Sequence, residues 1–262
     1  MATRVDWTRG QLLIAFKLYC QLDFGKLHHR NPEIIKWAGA IGRTPDALAM
    51  KLVNIASLDP LITSSGRRGL SGASNADKAM WQEMQADWAA FAVEMESATQ
   101  RYSKNFEGST DLDPLGSTDD SADYTGQSKE AVVQIRIGQA YFRRAVLSAY
   151  SGKCCISGLS EPKLLVASHI VPWRSGVRDR LNPRNGLCLS AIHDRAFDQG
   201  LIYLSDNLEV MLTHRISGNR DESFIKAAFG TFEGKRIEVP DKFSPDVNFI
   251  RQHREESLAR NS

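Results

Sequence analysis

The sequence predicts an α+β protein with an N-terminal helical domain and a C-terminal domain of short strands and helices. Apolar residues recur at helical spacing through residues 1–104. Residues 128–262 instead alternate helical stretches with short apolar runs that are bounded by turn residues. Between them, residues 105–127 are rich in Gly, Ser, Thr and Asp and contain no Lys or Arg, which predicts a flexible acidic linker.

Composition restricts the class of protein. Hydrophobic residues make up 42% of the 262 residues and charged residues 24%, so a folded core is expected and wholesale disorder is excluded. No stretch approaches the ~20 apolar residues of a membrane span, and Met1 to Trp7 lacks the apolar region of a signal peptide. Four cysteines are too few for a disulfide scaffold. We therefore expect a reduced, cytoplasmic protein without a membrane partner.

The N-terminal domain is predicted to contain four helices. Thr8 is a plausible N-cap for the first, and Asn31-Pro32 begins the second. Gly42 ends the second helix, because glycine tolerates the left-handed conformation of a C-cap. Thr44-Pro45 begins a third helix that runs to about Ser57, and one further helix is expected over residues 76–98.

The break Gly42-Arg43-Thr44-Pro45 has the form of a helix-turn-helix, so we expect a helix-turn-helix or winged-helix-like domain. The second helix of such a motif enters the major groove of DNA. Asp46, Lys51 and Asn54 lie off the apolar face and are predicted to reach DNA, and Arg67 and Arg68 are predicted to contact phosphates or the minor groove. Plain helix packing is the alternative interpretation.

The C-terminal domain is predicted to open with a helix over residues 128–150. Short apolar runs follow at residues 164–170 and 186–189, and then a helix over residues 190–197. Residues 201–204 and 208–212 predict a hairpin around Ser205-Asp206-Asn207. Two further helices are expected near residues 222–229 and 245–258.

Three blocks of this domain carry a recognisable pattern. They read His-Ile-Val-Pro-Trp from His169, Asn-Gly-Leu-Cys-Leu from Asn185, and His-Asp-Arg-Ala-Phe-Asp-Gln-Gly from His193. Together with Gly138, Gln139, Phe142 and Arg143, these blocks resemble the HNH endonuclease family, in its restriction-endonuclease-like branch. The resemblance implies a ββα-metal nuclease fold over residues 128–262 and a site built from His169, Asn185 and His193.

Phosphodiester hydrolysis requires an activated water and a counter-charge at the phosphate. His169, near the end of a strand, is predicted to act as the general base because an imidazole titrates near pH 7. Asn185 is expected to orient the loop and not to bind metal. The resemblance implies one divalent metal on the helix, which would neutralise charge on the phosphate.

The sequence alone does not decide which residues bind the metal. The family often has Asp or His before the base, where this chain has Ser168, a poor ligand. We favour His193 and Asp198, with Asp194 as the rival ligand. Such an oxygen-rich site suits Mg²⁺ or Mn²⁺. Structural Zn²⁺ is not expected because no Cys-x-x-Cys pair is present.

Basic residues cluster around the motif, since residues 128–200 contain more Lys and Arg than Asp and Glu. Arg143, Arg144, Arg174 and Arg178 are predicted to contact phosphates, although each could equally be a solubilising surface residue.

These observations predict a restriction endonuclease that acts on double-stranded DNA as a homodimer, because a double-strand break needs two nicks. Dependence on modified, methylated DNA is one hypothesis. Recognition of an unmodified sequence through the helix at 45–57 is a second, and a catalytically dead HNH-fold DNA-binding regulator is a third.

Overall fold

The computed structural model of the chain describes residues 6–64, 72–105, 129–172, 179–218 and 222–261. The chain forms two compact units, Met1–Ala145 and Val146–Ser262. Their boundary falls inside one helix, α7 (Lys129–Ala149). Apart from Asn105, the predicted linker 105–127 lies outside the described residues, so the domain boundaries at 104 and 128 stay predictions.

All regular secondary structure in the described part of the first unit is helical. Its core is α1, whose residues from Leu12 to Cys20 are all buried, and which packs against α3 and α6. No strand occurs in the described part of this unit, so the wing of a winged-helix domain has no counterpart there. Its helices before α7 are α1 (Arg9–Gln21), α2 (Pro32–Ala40), α3 (Pro45–Ala56), α4 (Pro60–Ser64), α5 (Asn75–Ala86) and α6 (Trp88–Ser103).

Local capping chemistry explains where the first three helices begin. The side chains of Thr8, Asn31 and Thr44 each accept a hydrogen bond from a backbone N–H in the first turn of α1, α2 and α3. Gly42 follows α2 with a φ of +68°, the left-handed conformation that glycine adopts without steric cost. These predicted boundaries are confirmed.

The single helix predicted over residues 76–98 is wrong. The chain forms α5 and α6 instead, separated by Asp87, whose φ of −152° and ψ of 91° are extended. The Asp87 carboxylate accepts from the backbone N–H of Ala90 at 2.9 Å and so caps α6. The apolar periodicity continues through Met84 and Trp88, which hides the break from a pattern-based prediction.

The second unit contains two antiparallel strand pairs, as predicted. Strands β1 (Leu165–His169) and β2 (Gly186–Ser190) pair over five residues, and β2 leads directly into α8 (Ala191–Asp198). The predicted hairpin is β3 (Ile202–Leu204) with β4 (Val210–Leu212). The remaining helices are α9 (His214–Ser217), α10 (Ser223–Ala228) and α11 (Val247–Arg260). A strand–strand–helix unit therefore stands where the three motif blocks occur.

Helix α11 holds the C-terminal end of α8. His253 Nε2 donates to the Phe197 carbonyl at 3.0 Å, and Arg260 donates to the Asp198 carbonyl at 2.7 Å. The imidazole of His253 also stacks on Phe197, with ring centroids 3.6 Å apart. Asn261 then donates to the Gly200 carbonyl at 2.9 Å. The Phe197 carbonyl also accepts from the backbone N–H of Gly200 at 2.8 Å, so the contacts from α11 and Asn261 add to the local bonds at the end of α8 and in the turn after it.

No helix in the described ranges has the length and apolar character needed to cross a membrane. All four cysteine side chains are buried thiols, namely Cys20, Cys154, Cys155 and Cys188.

Candidate active site

The β1–β2 ladder fixes the position of His169. His169 is the last residue of β1, and its Cα is paired with that of Gly186, the first residue of β2. Five consecutive pairs connect the strands, from Leu165 opposite Ser190 to His169 opposite Gly186. The His169 backbone is therefore held by a sheet, while its half-buried ring lies at the sheet's end.

The ring of His169 has a defined tautomer. Its Nε2 lies 2.9 Å from the carbonyl oxygen of Arg180. Since a carbonyl oxygen only accepts hydrogen bonds, Nε2 must carry the proton. In the neutral ring the lone pair then resides on Nδ1, so Nδ1 is the nitrogen that can take a proton from water.

Asn185 fastens the loop that follows His169. Its side chain is 2% exposed and pairs with both backbone polar groups of Val171, accepting from N–H at 2.8 Å and donating to C=O at 3.1 Å. It also donates to the Asp179 carbonyl at 3.4 Å. An amide that is committed to three backbone groups suits the predicted orienting role.

Ser168 departs from the acidic or His residue of the family, and the structure places it inside. It is 3% exposed, and its hydroxyl is buried with no hydrogen-bond partner among the described residues. A buried neutral hydroxyl contributes no charge to a metal site, so the departure from the family pattern has a structural basis.

Helix α8 presents two different faces. Ser190 is its N-cap, and the buried side is formed by His193, Ala196 and Phe197. Asp194 is half-buried and Asp198 is exposed. At 100° per residue the two carboxylates share one face, which His193 does not share.

The ring of His193, a predicted metal ligand, lies among protein groups. The ring is 3% exposed, and its Nε2 donates to the Ala228 carbonyl at 2.8 Å. Its Nδ1 lies 2.9 Å from the Ser190 hydroxyl and 3.5 Å from the Cys154 sulfur. Both ring nitrogens are therefore engaged by the protein and point away from the face that carries the carboxylates.

The contact between Cys154 and His193 shifts the pKa of both side chains. Burial raises the pKa of the Cys154 thiol, but the hydrogen bonds from His193 and Ser157 outweigh burial and lower this pKa to about 6. For His193, burial lowers the pKa, but the Cys154 sulfur and the Ala228 carbonyl bring it above the usual value. No sequence pattern predicts this pair, because Cys154 and His193 are 39 residues apart.

The predicted ligand set does not fit a metal as it stands. Among the described residues, no three His, Cys, Asp or Glu side chains are grouped so that they could hold a metal ion. With His193 directed into the interior, only Asp194 and Asp198 remain as protein ligands on α8. An open cavity of about 540 Å³ lies on the other side of this helix, against Ser190, Ile192 and His193, and neither carboxylate lines it.

The N-terminal unit holds one of the residues predicted to contact DNA in its interior. Lys51, predicted to reach DNA, is 7% exposed, and its ammonium donates to both oxygens of Asp77 at 2.9 and 3.0 Å. Asp77 itself is fully buried. Lys51 therefore belongs to the packing between α3 and α5, because a buried ion pair cannot be opened without leaving an uncompensated charge.

The other residues predicted to contact DNA differ in their exposure. Asn54 is half-buried on α3, whose exposed residues are Asp46 and Met50. Arg143 is half-buried and Arg144 is exposed. Arg67, Arg68, Arg174 and Arg178 lie outside the described residues. The exposed side of α3 thus offers no Lys or Arg, which removes the electrostatic support for a recognition helix there.

Part of the second unit matches a known protein family. A search among curated proteins found no match to this chain. Residues 154–205, which include β1, β2, α8 and β3, match the family model described as HNH endonuclease. This match supports placing this part of the chain in the HNH family.

Proposed function

We propose that the protein is a DNA endonuclease that cleaves phosphodiester bonds with His169 as its general base. The observation that carries the proposal is the placement of His169 at the end of β1, with Nε2 donating to the Arg180 carbonyl at 2.9 Å. A general base needs a lone pair that can take a proton, and this hydrogen bond assigns the lone pair of the neutral ring to Nδ1.

In the proposed reaction, a water molecule transfers a proton to His169 Nδ1 while its oxygen attacks the phosphorus. The bond from phosphorus to the leaving oxygen then breaks and that oxygen takes a proton from solvent water, which gives an alcohol and a phosphate monoester, while His169 returns its proton to the solvent. Asn185 keeps the loop beyond β1 in place, so that the base retains its position during the reaction. A divalent ion, Mg²⁺ or Mn²⁺, belongs to the proposal through the family, although the described residues do not define its ligands.

Plasmid nicking tests the proposal. We expect the wild-type protein to nick supercoiled plasmid in Mg²⁺ or Mn²⁺ and to lose activity in EDTA. His169→Ala should reduce the rate at least about 100-fold, the lower range for loss of a general base. The exposed His214 of the same unit is a matched control, and His214→Ala should cleave at the wild-type rate. Equal cleavage by wild type and His169→Ala would identify the activity as a contaminant.

The biological role that we propose is restriction of foreign DNA in the cytoplasm, with dependence on methylated DNA as the finer hypothesis. The lack of exposed Lys or Arg on α3 argues against the alternative of an unmodified sequence read by this helix. Matched methylated and unmethylated plasmids separate the two. Cleavage of the methylated plasmid alone supports modification dependence, and equal cleavage excludes it.

One observation favours a second candidate, a catalytically dead HNH-fold protein that only binds DNA. The described residues contain no assembled group of three metal ligands, and the neutral Ser168 stands before the base. Saturable binding of duplex DNA without nicking, at any concentration of Mg²⁺ or Mn²⁺, would favour this candidate over the nuclease.

A further inference from the structure

We propose that His193 is a positioning residue that fixes the start of helix α8, and that it does not bind the metal ion. The inference rests on the proposed nuclease function for its catalytic consequence, but its structural part is independent of that function. The imidazole joins three separate segments of the second unit: the turn at Cys154, the end of β2 at Ser190, and the end of α10 at Ala228.

The contacts of the ring define its orientation completely. Nε2 donates to the Ala228 carbonyl at 2.8 Å, and Nδ1 lies 2.9 Å from the Ser190 hydroxyl. Phe229 and Phe232 stand edge-on to the ring, with centroids 5.7 and 5.5 Å away. A ring that is held at both nitrogens and enclosed by aromatic side chains cannot turn toward a metal without breaking all of these contacts.

The hydroxyl of Ser190 connects this ring to the helix start. The same oxygen that contacts His193 Nδ1 caps α8 by accepting from the His193 backbone N–H at 3.4 Å. Loss of the ring would remove the donor to the Ala228 carbonyl and the contact to the Ser190 hydroxyl, so the first turn of α8 would keep its backbone cap but lose the contacts that hold it in place. Because α8 has only eight residues, a shift at its first turn moves the whole helix.

The consequence falls on another face of α8. Asp194 and Asp198 are four residues apart and share that face, which is turned by about 100° to 140° from His193 around the helix axis. By holding the helix, His193 fixes the direction in which both carboxylates point. Its effect on cleavage is therefore expected through the orientation of α8 and not through ligation.

Two variants separate positioning from ligation. His193→Ala removes all ring contacts, whereas His193→Gln retains an amide that can donate to the Ala228 carbonyl. We expect His193→Ala to lower Tm by several °C and to accelerate amide hydrogen exchange in α8, and His193→Gln to restore part of both. The exposed His214→Ala is the control and should change neither. Unchanged Tm and exchange in His193→Ala would overturn the proposal.

The catalytic consequence is measured at a temperature at which every variant is fully folded. We expect kcat for nicking to fall about 10- to 100-fold in His193→Ala with KM unchanged, the effect of misplacing a reacting group. His193→Gln should recover at least part of kcat. If His193→Ala has the kcat of the wild type under these conditions, His193 contributes only to stability, and the proposal that it positions α8 for cleavage is wrong.

Electron paramagnetic resonance of Mn²⁺ binding, without DNA, tests whether His193 is a ligand of the metal ion. His193→Gln should keep the Mn²⁺ affinity of the wild type within about threefold. A tenfold or greater loss in this variant, with Tm unchanged, would make His193 a ligand and overturn the proposal. If the wild type neither nicks DNA nor binds Mn²⁺, the nuclease proposal fails, while Tm and hydrogen exchange still decide whether His193 positions α8.

Discussion

The side chain of Asn185 substitutes for a peptide group where β1 ends. It pairs with the N–H and the C=O of Val171, as a neighbouring strand would. The sequence motif predicted the orienting role, because the resemblance supplied it. The partners could not be predicted, since Val171 and Asp179 come into reach only after the two strands have paired.

Asn185→Asp tests the residue without changing its size. The carboxylate loses the two N–H donors and faces the Val171 and Asp179 carbonyls, so we expect a loss of at least about 2 kcal/mol in the free energy of unfolding. Nicking activity should fall with it. Asn207, exposed in the turn between β3 and β4, is the control, and Asn207→Asp should unfold like the wild type. Denaturant unfolding at neutral pH provides the measurement.

Lys17 is a second residue whose environment the sequence did not reveal. It lies on α1 at 8% exposure, with its ammonium 3.0 Å from the Thr99 hydroxyl and 4.6 Å from the Trp37 ring centroid. Burial lowers the pKa of Lys17 to about 8, since the charged form loses hydration.

This lowered pKa predicts a pH dependence of stability. Between pH 8 and the unfolded pKa of 10.5 the unfolded chain binds more protons, so this contribution to stability rises with pH by roughly 3 kcal/mol. Lys17→Met should therefore raise Tm at pH 7, and the advantage should shrink toward pH 10.5. The control is Lys78→Met, since Lys78 is exposed on α5. A gain in Tm that is equal at pH 7 and pH 10 would contradict the assigned cause.

At the scale of elements, caps and turns were predictable because their chemistry is local. Thr8, Asn31 and Thr44 start helices where the sequence indicated. Burial was not predictable for His193 and Lys51, because it depends on segments that are distant in sequence. Lys51 lies off the apolar stripe of α3 and still meets Asp77 of α5. Helical periodicity alone cannot distinguish such a buried ion pair from a solvent-exposed cation.

Two glycines with positive φ test how closely α11 approaches the end of α8, because only one of them lies against α11. Gly200 has a φ of +65°, and a Cβ there would lie 3.0 Å from the Cα of Ser257. Gly234 has a φ of +72° with no atom within 4 Å of such a Cβ among the described residues. Gly234→Ala should cost only the left-handed strain, about 1 kcal/mol. Gly200→Ala should cost clearly more, because the backbone of α11 must also move.

Thermal unfolding of both variants measures the difference. Equal Tm values would show that α11 does not approach the end of α8 this closely. A larger loss in Gly200→Ala, accompanied by reduced nicking, would connect the packing of α11 to the contacts that Arg260 makes with the Asp198 carbonyl and Asn261 makes with the Gly200 carbonyl.

At the scale of the whole molecule, each chain supplies one candidate general base, His169, and one metal is proposed with it. A double-strand break then requires two chains or two successive events. For a homodimer on DNA, we expect linear plasmid to appear with a rate that rises as the square of protein concentration at low occupancy. Nicked circles that convert to linear DNA with a first-power dependence would indicate independent monomers. Sedimentation with and without duplex DNA gives the assembly directly.

The segment between β1 and β2 is held by hydrogen bonds at both of its ends. For the proposed nuclease, this affects how the segment can vary. Val171 is fixed by Asn185, while the carbonyls of Asp179 and Arg180 are fixed by Asn185 and His169. For the proposed nuclease, a library randomised between Val171 and Asp179 and selected for new cutting preferences would leave these anchoring residues unchanged. Chemistry and target choice can then evolve on separate stretches of one short segment.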